Sequence, residues 1–445
     1  MNDITRRVFF RRGSLALVAL GLPPQFLTES LRAATRAAAR KKTLICIFQR
    51  GAVDGLNMVV PHGEKAYYVR RRSIAVPAPG GNRNGAIELD GFFGFHPSLR
   101  PLHELYARRE LAVVHAVGSP HPTRSHFDAQ DFMETATPGV KTTRDGWLNR
   151  ALTHTSCDCD GRTLADARAH AADHTAGQVG MAGTTGANAT LRGIAMGSAL
   201  PVSLRGAHPA LAIDDLARFG VADGRDSSLE STFERQYGAG NDLVSSAADE
   251  AFEAIRILKA ANPLQYAPSS GVRYPAGNFG RSLRQIAQLI KSGVGVEVAF
   301  ADLGGWDTHQ SQGGAEGQLA RRFDELARGV RALYDDLGDR MNDVVILTMS
   351  EFGRTVAENG SGGTDHGHAN CMLVMGGPIA GGRVLGDWPG LEREQLYEGR
   401  DLALTTDFRD VFGEIVAGHL GTTELGAVFP AYDAQPSRFR GVLKL

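Results

Sequence analysis

Cysteine is scarce in this chain, with four in 445 residues, at positions 46, 157, 159 and 371. Cys46 and Cys371 lie in apolar, strand-like runs, where thiols behave as small buried hydrophobes. Two thiols alone do not make a metal site, so Cys157-Asp158-Cys159 reads as a loop feature. A charge excess is absent too, since the formal net charge is −1. Residues 1–39 carry six arginines against two acidic residues, and the remainder carries 42 basic against 47 acidic residues. A nucleic-acid binder would present a basic face, and this composition offers none. Long hydrophobic runs are missing as well. The apolar segment from Gly13 to Leu22 is too short to cross a bilayer, so no stable membrane span is expected. There is no internal repeat and no low-complexity domain.

What remains is the composition of a soluble globular protein, 42% hydrophobic and 22% charged, with 54 glycines for tight loops. The length suits one large α/β domain or two ordinary ones. The N-terminus has a different character. Thr5-Arg6-Arg7-Val8-Phe9-Phe10 is a twin-arginine pattern, followed by the short apolar run and by small residues at Ala37-Ala38-Ala39. That order predicts a leader over residues 1–39, read by the twin-arginine translocation machinery, and a mature domain over 40–445 in the periplasm or outside the cell. The alternative is a basic amphipathic helix that stays attached.

Apolar, β-branched runs predict strands at Thr43–Phe48, Leu111–Val117, Gly295–Ala301, Val344–Met349 and Cys371–Met375. Leu319, Phe323, Leu326, Val330, Leu333 and Leu337 step by four and three residues and predict an amphipathic helix. Further helices are expected over Pro97–Arg109, from near Ser125 towards Glu134, over Phe279–Lys291 and over Asp407–Leu420. Residues 151–240, rich in Ala, Gly, Thr and Asp, read as a helical and loop insertion over one sheet edge. Alternation of strand and helix argues for a mostly parallel sheet covered on both faces. Ligands in such sheets bind beyond the carboxyl ends of the strands.

The segments following those strands carry the chemistry. Gly362–Asn370 holds Asp365, His366 and His368 within four residues. Carboxylate and imidazole on a glycine-wrapped loop suit zinc or another transition metal, although such a loop can also serve only hydrogen bonding. Asp307-Thr308-His309 places two ligand types two residues apart, and an extended loop points both the same way. With His366 and His368 they would form a nitrogen-rich site, and Asp54 with Glu351 an oxygen-rich neighbour. Two cations about 3.5–4 Å apart would clamp the attacking and leaving oxygens of an ester displacement. Ser125, at a helix start, reads equally as nucleophile or as N-cap. Arg124 beside it would hold a phosphate or sulfate, with Arg354 a second candidate. His126 and Asp128 read as supporting or capping groups.

Taken together, the leader, residues 50–57 (RGAVDGLN), 124–131 (RSHFDAQD), 145–150 (DGWLNR), 304–309 (GGWDTH), 350–355 (SEFGRT) and 363–369 (GTDHGHA) resemble the exported bacterial family catalogued as domain of unknown function 1501. That family looks like a branch of the alkaline phosphatase and sulfatase superfamily. The resemblance implies an alkaline-phosphatase-like three-layer α/β/α sandwich with divalent metals at the strand ends. It places Asp54 as the first-strand metal aspartate, Ser125 as nucleophile, Asp307 and His309 as one ligand pair, and the 365–368 histidines as a late ligand. Glu351 falls where the superfamily commonly has an Asp-His pair. Two functions follow as expectations. One is hydrolysis of a small-molecule or polymer phosphate or sulfate ester. The other is a non-catalytic exported binding or assembly protein of the same fold.

Overall fold

The computed structural model describes residues 42–155, 191–218 and 254–444. The expected leader and Cys157-Asp158-Cys159 lie outside these residues. Among the described residues there are twelve strands: β1 (Thr43–Arg50), β2 (Val59–Val60), β3 (Ile87–Glu88), β4 (Gly94–Phe95), β5 (Leu111–Gly118), β6 (Gly193–Met196), β7 (Ala210–Ile213), β8 (Val298–Gly304), β9 (Val344–Met349), β10 (Asn370–Gly376), β11 (Arg383–Leu385) and β12 (Thr406–Asp407). The main sheet runs β11-β5-β10-β9-β1-β8-β6-β7, with β12 also beside β5. β1 pairs in parallel with both β8 and β9. β10 runs against its neighbours in this sheet, pairing antiparallel with β5 and β9. β2, β4 and β3 form a separate small sheet.

The central strands are buried on both faces, which is why their sequences are nearly continuous apolar runs. Successive side chains alternate across the pleat. Ile45 and Ile47 feed one apolar layer, and Leu44, Cys46 and Phe48 the other. Each such side chain contributes about 1.5–3 kcal/mol on full burial. One layer is closed by helices Arg100–Ala107, Asn278–Ser292 and Gln318–Leu337, whose Leu319, Phe323, Leu326 and Val330 are fully buried. The other is closed by Trp147–His154 and Phe408–Ile415, with Trp147 stacked on Phe412 at 4.3 Å. The result is the expected three-layer α/β/α sandwich around a mostly parallel sheet. Cys46 and Cys371 are free and buried.

Part of the stretch read as an insertion belongs to the sheet. β6 and β7 extend it beyond β8, with β6 parallel to both neighbours. At four residues each they are too short to show a periodic signal. Among the described residues no helix is long and apolar enough to cross a membrane.

The direction of β10 has a consequence for the site. β1, β5, β8 and β9 all end at one edge of the sheet. β10 starts at that edge because it runs the other way. The loop before β10, which carries residues 362–369, is therefore delivered to the place where the other four strands finish.

Candidate metal centre

Five chain segments meet at this edge, the loop before β10 and the turns after four strands. β1 ends in a turn at Gly51, whose φ is +116°; a Cβ there would lie 2.8 Å from the backbone nitrogen of Asp307. That contact brings the β1 and β8 turns together and requires glycine. After β8, Trp306 is fully buried and donates its indole N–H to the Leu303 carbonyl at 2.7 Å, fixing the turn that presents Asp307. After β9, the Ser350 hydroxyl donates to the Gln49 carbonyl at 2.8 Å and Glu351 follows, 1% exposed. After β5, helix α1 (His126–Thr135) begins with His126 as its first residue.

Three imidazoles converge on Asp307. The Nδ1 atom of each faces an acceptor. His126 Nδ1 lies 2.8 Å from Glu351 Oε1, His309 Nδ1 3.2 Å from Asp365 Oδ1, and His366 Nδ1 2.8 Å from the Arg124 carbonyl oxygen. A carbonyl or ionised carboxylate can only accept, so each Nδ1 carries the proton. In the neutral rings each Nε2 is then left with a lone pair. The Nε2 atoms of His309 and His366 are 3.0 Å apart, and they lie 3.0 and 3.2 Å from Asp307 Oδ1. His126 Nε2 lies 3.5 Å from Asp307 Oδ2 and is buried without a hydrogen-bond partner. Lone pairs facing one another at these distances repel, unless a proton or a cation lies between them.

The electrostatics agree. Burial alone would raise the Asp307 carboxyl, but the hydrogen bond and charge of Arg354 outweigh it and hold the group at about 2. Burial also works against ionised Glu351, and hydrogen bonds from His126 and Gln130 bring it below the ordinary value nonetheless. Asp365 is lowered chiefly by its hydrogen bond from Asn359. The carboxylates are therefore ionised acceptors at neutral pH. His126 is pushed up by its hydrogen bond to Glu351, whereas burial pushes His366 down.

His126, Asp307 and His366 form a group that could hold a divalent transition metal, with His309 beside it against His366 and Asp307. Tetrahedral coordination with bonds of about 2.0–2.1 Å implies ligand atoms roughly 3.3 Å apart. His309 Nε2–His366 Nε2 and the contacts of both to Asp307 Oδ1 measure 3.0, 3.0 and 3.2 Å, and His126 Nε2 approaches the other carboxylate oxygen, Oδ2, at 3.5 Å. The ligand atoms of His126, Asp307 and His366 all fall within 4.8 Å of one another. The rings are oriented from behind by carboxylates and a carbonyl, as metal-bound histidines usually are. The site is also open. The side chains of His366, His126, His309 and Asp307 are 23%, 24%, 40% and 45% exposed, so small molecules can reach it.

Residues 41–429 match the model of the family described as protein of unknown function, DUF1501. The chain belongs to this family. No curated protein sequence matches the DUF1501 chain significantly. Among solved structures it is similar to Ps i-CgsB in complex with k-i-k-neocarrahexaose, at 12% identity and TM-score 0.35, covering 86% of this chain and 72% of that one. It is also similar to the PsFucS1 sulfatase from Pseudoalteromonas sp., at 12% identity and TM-score 0.34, covering 95% and 74%.

The structure of this DUF1501 chain sorts the residues expected from its sequence. It brings Asp307, His309 and His366 together and adds His126, which the sequence reading took as a supporting group. His368 does not join them. It is buried and stacks on Tyr397 at 4.4 Å. Asp365 and Glu351 orient His309 and His126 rather than entering the group of ligand atoms. Asp54 is drawn off completely. Its Oδ2 accepts from Arg71 and Gln312, each at 2.7 Å, and its Oδ1 accepts from the Asn57 backbone nitrogen. Protein donors thus engage both Asp54 and Glu351, the carboxylates expected to form an oxygen-rich neighbouring site.

The two anion-binding candidates are also committed. Arg124 pairs with Asp401 and Glu398 at 2.6 and 2.7 Å. Arg354 is buried and donates to the carbonyls of Ala52, Thr364, Gly51 and Trp306, and to Asp307 at 2.6 Å. Ser125 is exposed at the start of α1, and its hydroxyl makes no capping bond. Asp128 accepts from Lys141 at 2.8 Å. His126 carried one legible signal, its place as the first helical residue directly after a candidate N-cap. Nothing local linked it to Glu351, 225 residues away.

Proposed function

We propose that this protein is a metal-dependent hydrolase of phosphate or sulfate esters, centred on Asp307, His309, His366 and His126. One observation carries the reading: three imidazoles locked from behind at Nδ1 present their Nε2 atoms to one ionised carboxylate at a solvent-accessible strand edge. Zinc or another transition metal held there would supply Lewis-acid polarisation of the ester. Closed four-ligand sites are typically structural, and the exposure of this one supports catalysis. The chain's own residues would divide the work. Glu351, Asp365 and the Arg124 carbonyl hold the rings in register, and Arg354 keeps Asp307 ionised. Ser125, exposed and uncapped one residue before His126, would act as nucleophile, with the first turn of α1 favouring the anionic group of the ester.

The test is turnover of p-nitrophenyl phosphate and p-nitrophenyl sulfate by protein loaded with zinc or manganese. Turnover of either is expected, and Ser125→Ala should lower kcat by on the order of 10³-fold or more. Unchanged turnover in Ser125→Ala would remove that residue from the mechanism. A second reading is an exported, non-catalytic binding protein that keeps the metal. It is favoured by the commitment of Arg124 and Arg354 to protein carboxylates and carbonyls. Absence of turnover by the loaded wild-type chain across both esters would select it.

We propose also that the protein is exported folded by the twin-arginine route to the periplasm or cell exterior. The support is Arg6-Arg7 ahead of a short apolar run. Replacing both with Lys is expected to leave the precursor in the cytoplasm on fractionation, and normal export of that variant would refute the route.

A further inference from the structure

We infer that Gln312 is a positioning residue that sets the spacing of the two ligand-bearing loops, and through it the affinity of the metal centre. The inference rests on the metal reading above.

Gln312 is fully buried, and its side chain hydrogen-bonds to Thr308, Thr364 and Asp54 rather than to a ligand side chain. Its Oε1 accepts from the hydroxyls of Thr308 at 2.9 Å and Thr364 at 2.8 Å. Thr308 stands between the ligands Asp307 and His309, and Thr364 stands two residues before His366. Thr308 is 5% and Thr364 0% exposed, so both bonds are shielded from water. One amide oxygen thus joins the loop after β8 to the loop before β10. The orientation of that amide is not free. Its Nε2 donates to Asp54 Oδ2 at 2.7 Å, and a carboxylate accepts only, so the oxygen must face the threonines. Asp54 is itself anchored by Arg71, which also donates to the carbonyls of Thr355 and Val356. The carboxylate that the sequence suggested as a ligand therefore acts two bonds behind the site.

The loops have little slack in which to absorb an error. A Cβ on Gly363 would lie 2.3 Å from the His309 carbonyl carbon, so the two backbones are already in contact there. The backbone nitrogen of Gln312 donates to the Gly362 carbonyl at 2.8 Å, which places its side chain at the junction. Ligand atoms separated by about 3 Å respond to small loop shifts, and supporting residues of metal sites typically contribute roughly 10–100-fold in affinity.

The experiment titrates metal-free, full-length protein with Co²⁺, reading the dissociation constant and the visible d–d spectrum alongside the melting temperature. Gln312→Met, which keeps the volume and removes both polar atoms, is expected to weaken Co²⁺ binding about 10–100-fold and to alter the spectrum. Thr308→Val should do so in part, whereas Thr308→Ser, which retains the hydroxyl, should keep the wild-type spectrum. A merely structural role would lower the melting temperature and leave the spectrum unchanged. Wild-type affinity and spectrum in Gln312→Met would overturn the inference. If that variant does not fold, identical spectra for Thr308→Val and Thr308→Ser would overturn it equally. Failure of the wild-type chain to take up Co²⁺ would sink the metal reading itself, an outcome distinct from either.

Discussion

Purified His366→Ala protein is expected to lose its stoichiometric transition metal, and His368→Ala protein to keep it. The two histidines are two residues apart and flank the same glycine, so only their surroundings separate them. His366 Nε2 lies 3.0 Å from His309 Nε2 and 3.2 Å from Asp307 Oδ1. His368 is buried against Tyr397. Removing a ligand should cost more than the roughly 10–100-fold that a supporting residue costs, and Asp307→Ala should behave like His366→Ala. Metal content by elemental analysis after zinc reconstitution, with circular dichroism to confirm folding, makes the measurement. Equal metal content in His366→Ala and His368→Ala would show that the cation, if bound, lies elsewhere. His126→Ala is the sharper companion, since the sequence gives little reason to expect it to lose metal and the geometry does.

The largest expected stability effect lies just behind the site. Arg71→Met should destabilise the fold by about 3–5 kcal/mol, the usual consequence of leaving a buried charge without its partner. The Arg71 and Asp54 side chains are 0% and 1% exposed and 2.7 Å apart. The same guanidinium also donates to Asn57 and to the carbonyls of Thr355 and Val356, so three chain segments lose a common anchor. Urea unfolding of metal-free protein would show the midpoint fall. Adding Asp54→Asn to Arg71→Met should recover part of the loss, because a neutral amide leaves no unpaired charge. A single variant as stable as wild type would mean that the Arg71–Asp54 pair does not anchor these segments. The outcome bears on function as well, since Asp54 orients Gln312 and Gln312 bridges the ligand loops.

The pattern of what could be read in advance follows from which interactions are local. The runs TLICIF and VVILTM announced β1 and β9 because a strand buried on both faces must be apolar along its length. The spacing of Leu319, Phe323, Leu326 and Val330 announced its helix because one face of a 3.6-residue period is buried. Alternation of these elements was enough to expect a mostly parallel sheet with ligand groups after its strands. Asp307, His309 and His366 were found that way, each in a glycine-flanked turn at a strand end. β6 and β7 are not announced by their sequences, because four residues carry too little periodicity.

By itself, then, the sequence determined the layers of the fold, the edge of the sheet where polar residues gather, and the family. The tertiary structure decided which of those residues meet. The antiparallel course of β10 delivers residues 362–369 to that edge, and strand direction is not encoded in the strand's own hydrophobic pattern. Asp54 was withdrawn from the centre by an arginine 17 residues on and a glutamine 258 residues on. His126 was recruited by a carboxylate 225 residues distant. His366 and His368, alike in type and two residues apart, were sent to different environments, one beside His309 and Asp307 and the other against Tyr397. For Asp54 and His126 the deciding quantity is the hydrogen-bond partner that the fold supplies. Such partners come from segments remote in the chain, so only the folded arrangement selects them.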